Sequence, residues 1–149
     1  MNDVQKEVKE QVVERVPTAD EIFAVEDREW KKVPVPKWGK NWVIYIFEMS
    51  GGSRDSFERS IAKLTKENDG SFTQEMVWNN YRAKLVARCA CNSKGHRIFN
   101  EDQVKKLGQK NWRTLKELAD VAQELNGLTK EAIEETTKNS STIQIKDSE

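Results

Sequence analysis

The sequence has no long apolar run. None of its stretches approaches the roughly eighteen apolar residues needed to cross a bilayer, so it offers no candidate for a membrane-spanning helix. It also has no excess of charge, since 25 basic residues balance 25 acidic ones. That balance argues against disorder driven by net charge. It argues equally against a nucleic-acid binder, which normally carries a basic excess or stripe. Cysteine and histidine are scarce: Cys89, Cys91 and His96 are all there are. The opening residues, Met1-Asn2-Asp3-Val4-Gln5-Lys6-Glu7, lack the apolar core of a secretory signal, so both cysteines are expected as reduced thiols in a cytoplasmic protein. What the chain does have is charge of both signs, 34% of its residues, above the usual quarter, and five tryptophans.

A length of 149 residues fits one domain with some chain to spare. The expected division is a charged leader over residues 1–17, mobile or ordered by a partner, a domain over 18–138, and a polar disordered tail over 139–149. In the leader Val4, Val8, Val12 and Val13 could form a thin helical stripe that Pro17 ends. Thr18 and Glu21 read as a capping box opening a short helix with Ile22, Phe23 and Val25 to bury.

Residues 30–48 read as a β-hairpin around Gly39. In its second strand Trp42, Ile44 and Ile46 point one way, and Val43, Tyr45 and Phe47 the other. Both faces are apolar, and a lone hairpin is marginal in water. The protein's own helices are therefore expected on one face, and another subunit or partner on the other. Pro34 and Pro36 place their missing donors on one edge, which blunts it against strand addition.

The remaining chain reads as helices. Ser53 can cap one running to about Glu67, with Phe57, Ile61 and Leu64 on one face. After a loop at Asn68-Asp69-Gly70-Ser71, Thr73 can cap another carrying Val77, Trp78, Tyr81, Leu85 and Cys89. Asn92-Ser93-Lys94-Gly95 is a turn, followed by Ile98 and Phe99 as an apolar anchor. Asn100 and Gln103 form a cap pair for a short helix with Val104 and Leu107, stopped by Gly108. Trp112, Leu115, Ala119, Ala122 and Leu125 mark the core face of a longer helix ended by Asn126-Gly127, and Thr129 caps a last one with Ala132 and Ile133. The expected fold is α+β but mostly α: one N-terminal hairpin followed by about five helices in one small domain.

Candidate chemistry is sparse. A Cys91–His96 nucleophile–base pair would need a separately positioned base and an orienting third group, and the sequence supplies neither. Cys89, Cys91 and His96, with Glu101 or Asp102, fall short of the two spaced pairs of a structural zinc site. Gly51-Gly52-Ser53-Arg54 precedes a helix but has neither the Walker ending nor a dinucleotide fingerprint. No enzyme activity, cofactor or metal is expected. Aromatics serve as interface anchors, being large, rigid and able to donate a hydrogen bond. On that ground Trp38, at the hairpin turn, with Trp42 and Tyr45 beside it, are the expected partner-binding residues. The alternative is a small nucleic-acid-binding module that stacks bases on Trp38 and Trp42 with Lys31, Lys32, Lys37 and Lys40 around them.

One resemblance adds to this reading. Val33-Pro34-Val35-Pro36-Lys37-Trp38-Gly39-Lys40-Asn41-Trp42-Val43-Ile44-Tyr45-Ile46, then Ser50-Gly51-Gly52 and Arg54-Asp55-Ser56-Phe57, follow the order found in siphophage (or prophage) tail assembly chaperones. Asn92-Ser93-Lys94-Gly95, Ile98-Phe99-Asn100-Glu101-Asp102-Gln103-Val104, Leu107-Gly108, Leu125-Asn126-Gly127-Leu128 and Lys138-Asn139-Ser140 continue it, so it covers residues 18–140. The turn departs from the family pattern in starting with Asn92 where an acidic residue is usual, and the leader is longer. The resemblance implies a non-enzymatic protein of the host bacterial cytoplasm. Such a protein would bind the tape measure protein, with the tail tube protein as a second candidate partner, and would associate with itself.

Overall fold

The computed structural model describes residues 12–128. Most of the expected leader stripe, the helix after Thr129 and the polar tail lie outside the described residues. Residues 12–17, at the end of that stripe, are not helical.

The predicted hairpin forms from β1 (Trp30–Pro34) and β2 (Val43–Phe47), with Trp30 opposite Phe47 and Val33 opposite Ile44. The Val35 N–H donates to the Trp42 carbonyl at 2.9 Å. That orientation turns Pro34 and Pro36 toward the open edge of the sheet, where a missing donor costs nothing. The turn closes through the Trp38 and Gly39 amides, both donating to the Val35 carbonyl. The Trp42 ring lies directly on Gly39, so any side chain there would collide with it.

The next element is α2 (Gly51–Ile61), capped by Ser50, whose hydroxyl accepts from the Ser53 amide at 3.2 Å. The helix stops at Ile61. Residues expected to continue it instead form β3 (Ala62–Lys66), which pairs with β4 (Phe72–Met76) as a second, separate hairpin. Its turn is the expected loop at 68–71: Gly70 sits at φ 88°, and the Asp69 carboxylate accepts from the Ser71 amide. The physical reason is alternation. Ala62, Leu64, Phe72 and Met76 share one face with Lys66 and Gln74, while Lys63, Thr65, Thr73 and Glu75 share the other. Leu64 also fits a helical stripe with Ile61, and that coincidence favoured the longer helix. Thr73 caps nothing; its hydroxyl donates to Glu67 at 2.9 Å.

Helix α3 (Tyr81–Cys89) starts later than expected, after Asn80 in the left-handed region at φ 55°. It is the centre of the molecule: Ala83, Leu85, Val86, Ala87, Arg88 and Cys89 are all buried. Around it lie Val33, Val35, Ile44 and Ile46 of the first hairpin, Phe57 and Ile61 of α2, and Leu115, Leu118, Ala119 and Ala122 of α5 (Trp112–Leu125). Leu107, at the end of the short α4 (Val104–Leu107), closes a further side. The chain leaves α3 directly into β5 (Ala90–Cys91), which joins the free edge of β2 with Tyr45 opposite Cys91. The strand order is β1-β2-β5. The turn at 92–95 follows, with the Asn92 side chain accepting from the Lys94 and His96 amides. The Asn100–Gln103 cap pair is present, opening a 3-10 turn (Glu101–Gln103) that leads into α4.

The expectation of a mostly α fold is therefore corrected. The described residues hold five strands in two antiparallel sheets beside the helices, an α+β domain. A second correction concerns α1 (Ala19–Phe23). Its capping box forms as expected, but no residue in it is buried, and Ile22, Phe23 and Val25 are exposed.

One buried cation needs an account. The Arg88 side chain is 7% exposed; it donates to the Ser53 carbonyl and pairs with Glu101 at 3.2 Å. Glu101 also pairs with Arg97 at 3.1 Å, and Arg97 donates to the Ala87 carbonyl. The carboxylate thus ties the 97–103 segment to α3 through two guanidinium groups. Removing it would leave Arg88 enclosed with a carbonyl partner and no counter-charge, a costly arrangement. Glu101→Ala should lose roughly 2 kcal/mol in urea unfolding, against about 0.5 kcal/mol or less for Lys116→Ala in the exposed Lys116–Asp120 pair. Equal losses would contradict the structural role given to Glu101.

Candidate functional site

The catalytic and metal readings find no assembled site. Cys91 is buried in β5, whereas His96 is exposed in the turn, its backbone bonded to Asn92. Among the described residues no group of three or more histidine, cysteine or acidic side chains could hold a metal ion. Burial pushes the Cys89 thiol up to about 12, opposed by a hydrogen bond from Asn126. It raises the Cys91 thiol as well, opposed by Arg28 and Arg97. Both groups are held as thiols, far from the activated thiolate a nucleophile needs. The Gly51-Gly52-Ser53-Arg54 stretch is the first turn of α2. Arg54 is engaged there with Glu58 at 3.0 Å and with the Asn126 carbonyl at 2.7 Å.

What remains is a set of exposed aromatic surfaces on a packed domain. The first is the face of the β1-β2-β5 sheet opposite Ile44 and Ile46. Trp30 meets Tyr45 edge-on at 5.4 Å and stacks on Phe47 at 6.2 Å. The Arg28 guanidinium lies 5.2 Å from the Phe47 ring centroid, and Gly95 fits tightly against both. Phe47 and Cys91 are thereby buried, Tyr45 is half-buried, and Trp30 stays 54% exposed. The sheet face expected to need a partner is covered in part by the chain itself.

The hairpin tip forms the second surface. Trp42 is 60% exposed over Gly39. Trp38 is half-buried against the core, and its ring nitrogen is enclosed without a hydrogen-bond partner among the described residues. The three expected partner-binding residues thus occupy different surroundings: Trp38 on the core, Trp42 at the tip, and Tyr45 on the outer sheet face beside Trp30.

The third surface is a groove of about 600 Å³ between the start of α3 and α5. Trp78 and Trp112 stand at it with Leu115, and Arg82, Lys110 and Asp120 supply its charges. Trp78 meets Tyr81 edge-on at 5.1 Å. Burial raises the Tyr81 hydroxyl, opposed by a hydrogen bond from Gln123. Gly108 closes one wall; a side chain there would run into the Asn80 amide. This groove was not legible in the sequence. Trp112 fits the core stripe of Leu115, Ala119 and Ala122, yet it is the first residue of its helix and stays 60% exposed. The available signal was its charged flanks, Lys110 and Arg113, the latter over the Trp112 ring at 5.5 Å.

These placements reverse the expected exposure of two tryptophans. Trp38→Ala should cost about 2 kcal/mol or more, because it opens space under the tip. Trp112→Ala should stay within about 0.5 kcal/mol, as for other exposed positions. Urea melts of the two variants check this; a larger loss for Trp112→Ala would contradict the placement. At alkaline pH the raised Cys89 thiol makes a separate claim. Its contribution to stability is complete below the unfolded value near 9 and is lost as pH rises from there toward 12. Labelling by a thiol reagent at pH 8 should therefore be slow in the folded protein and fast in urea, and rapid labelling of Cys89 without unfolding would refute it.

Comparison with known proteins gives three findings. The sequence matches the family described as phage tail assembly chaperone over residues 21–139. The solved structure of the bacteriophage HK97 tail assembly chaperone matches with a TM-score of 0.42 and 15% identity, over 81% of this chain and 95% of that one. No curated protein matches the sequence.

Proposed function

The chain belongs to the phage tail assembly chaperone family, and we propose that it binds the tape measure protein and keeps it soluble while the tail tube assembles. It does this without catalysis, in the host bacterial cytoplasm, with the tail tube protein as a possible second partner and with copies that associate. The observation that carries the proposal is the exposure of large apolar side chains on a well-packed domain: Trp30, Trp42, Leu64, Phe72, Trp78 and Trp112 are 45–60% exposed. A tape measure protein is long and helical, with apolar stripes that aggregate until the tube encloses them. Aromatics spaced over one small domain suit such a client, because they offer contact area at low entropic cost. The balanced charge keeps the outside of the complex in water. Several copies on one client add avidity without strong single contacts.

Within this reading Trp42 and Tyr45, with Trp30 beside them, are the hairpin's contacts to the client, and Trp38 shapes the tip from beneath. The nucleic-acid alternative loses support, because one of its two stacking rings packs against the core.

The test is co-expression of the tape measure protein with this chain. The soluble fraction of the tape measure protein should rise several-fold, and the two should co-elute. Trp42→Ala with Tyr45→Ala, in a variant that still folds, should weaken capture about tenfold or more. A client that stays insoluble beside abundant folded protein would overturn the proposal.

A further inference from the structure

An arm and a groove on this chain are complementary, and among the described residues each is left uncovered. The arm is the segment before β1. Val12, Val13, Val16, Ile22, Phe23 and Val25 are 54–91% exposed along it. It is nevertheless shaped. Thr18 and Glu21 cap α1 reciprocally, and Arg15 pairs with Glu21 at 2.7 Å. An isolated helix of this length has no stability of its own in water, and this one buries none of its residues. It presents Ile22 and Phe23 beside the acid Asp20, while Glu21 is engaged by Arg15 and Thr18.

The groove offers the opposite surface. Trp78, Trp112 and Leu115 wall it, and Arg82 and Lys110 line it with positive charge. Its one acid, Asp120, is already paired with Lys116 at 2.7 Å. At about 600 Å³ it has ample room for two large side chains.

We propose that α1 of one copy seats Ile22 and Phe23 in the Trp78–Trp112 groove of a second copy, with Asp20 facing Arg82 and Lys110. A second copy fits better than the chain's own arm. The root of the arm, Arg28, lies on Phe47 beside Gly95, in the turn that follows β5. In this chain Ile22 and Phe23 stay exposed, and neither lines the groove, which opens at the other end of α3. The arm and the groove are different patches, so the contact is heterologous and lines copies up head to tail. One short helix covers less than a standard interface, so each contact is weak and gains by repetition along a client.

The inference deepens the self-association within the proposed function and rests on that reading. The test is the mass of the full chain in solution across a concentration series for the wild type, Phe23→Asp, Trp112→Ala and Lys110→Glu, each checked for folding by circular dichroism. The wild type should assemble, and each variant should associate at least about tenfold more weakly. The decisive arm mixes variants. Phe23→Asp keeps its groove and Trp112→Ala keeps its arm, so the mixture should form one-to-one dimers that neither forms alone. A folded mixture that stays monomeric while the wild type assembles overturns the assignment and leaves self-association standing. A wild type that is monomeric with and without client overturns both. A Trp112→Ala variant that assembles normally but fails to capture client gives the groove to the client and overturns the proposal.

Discussion

The enclosure of α3 is the constraint on which the rest of the domain depends. Six of its nine residues are buried, so a helix of barely two and a half turns must be surrounded by everything else. The sheet covers it with Val33, Val35, Ile44 and Ile46, α2 with Phe57 and Ile61, and α5 with its Leu115–Ala122 stripe. Each coat is amphipathic, so each is ordered by the surface it hides as much as by its own propensity. The small residues Ala83, Ala87 and Cys89 let the neighbours approach closely. Burying a helix this thoroughly also buries Arg88, and that charge requires Glu101. The 97–103 segment and α4 behind it are positioned as a consequence.

With the inner surfaces committed to α3, several large side chains remain about half exposed outside it. Trp42, Trp78 and Trp112 sit at a turn tip, a loop before a helix and the first residue of a helix, all places where the domain ends and a ring projects. The β3–β4 hairpin extends the same logic, with Leu64 and Phe72 exposed on one face. A two-stranded ribbon of this kind gains from a covering partner. These features give the family assignment a physical content: a packed centre carrying several exposed apolar side chains on a charge-balanced chain.

The sequence told a good deal of this through local chemistry. The Thr18–Glu21 box, the hairpin around Gly39, the turn at 92–95, the Asn100–Gln103 cap and the α5 stripe all depend on residues within a few positions of one another. The misreadings arose where two periods overlapped or where tertiary surroundings decided. Leu64 satisfies both a helix register with Ile61 and a strand register with Ala62 and Lys66, and only pairing with 72–76 settles it. β5 is two residues long and exists because β2 has a free edge next to the end of α3. Arg88 reads as a surface cation until Glu101 and the Ser53 carbonyl are placed beside it. The surroundings of Trp38 and Trp112 were misread for a similar reason. A turn position suggested exposure and a helical stripe suggested burial, but the body of the domain lies under the turn and stops short of the first residue of α5.

Hydrogen–deuterium exchange of the protein alone and mixed with the tape measure protein tests the central claim most directly, because it separates a preformed core from the surfaces proposed to bind. The account predicts that amides of α3 and of the inner β2 strand are already protected in the free protein and change little on binding. New protection should be confined to the arm around α1, the 38–45 tip and outer strand, the β3–β4 hairpin and the walls of the Trp78–Trp112 groove. Strong protection arising in α3 only when the client is present would show a domain that folds on binding, and would contradict the account.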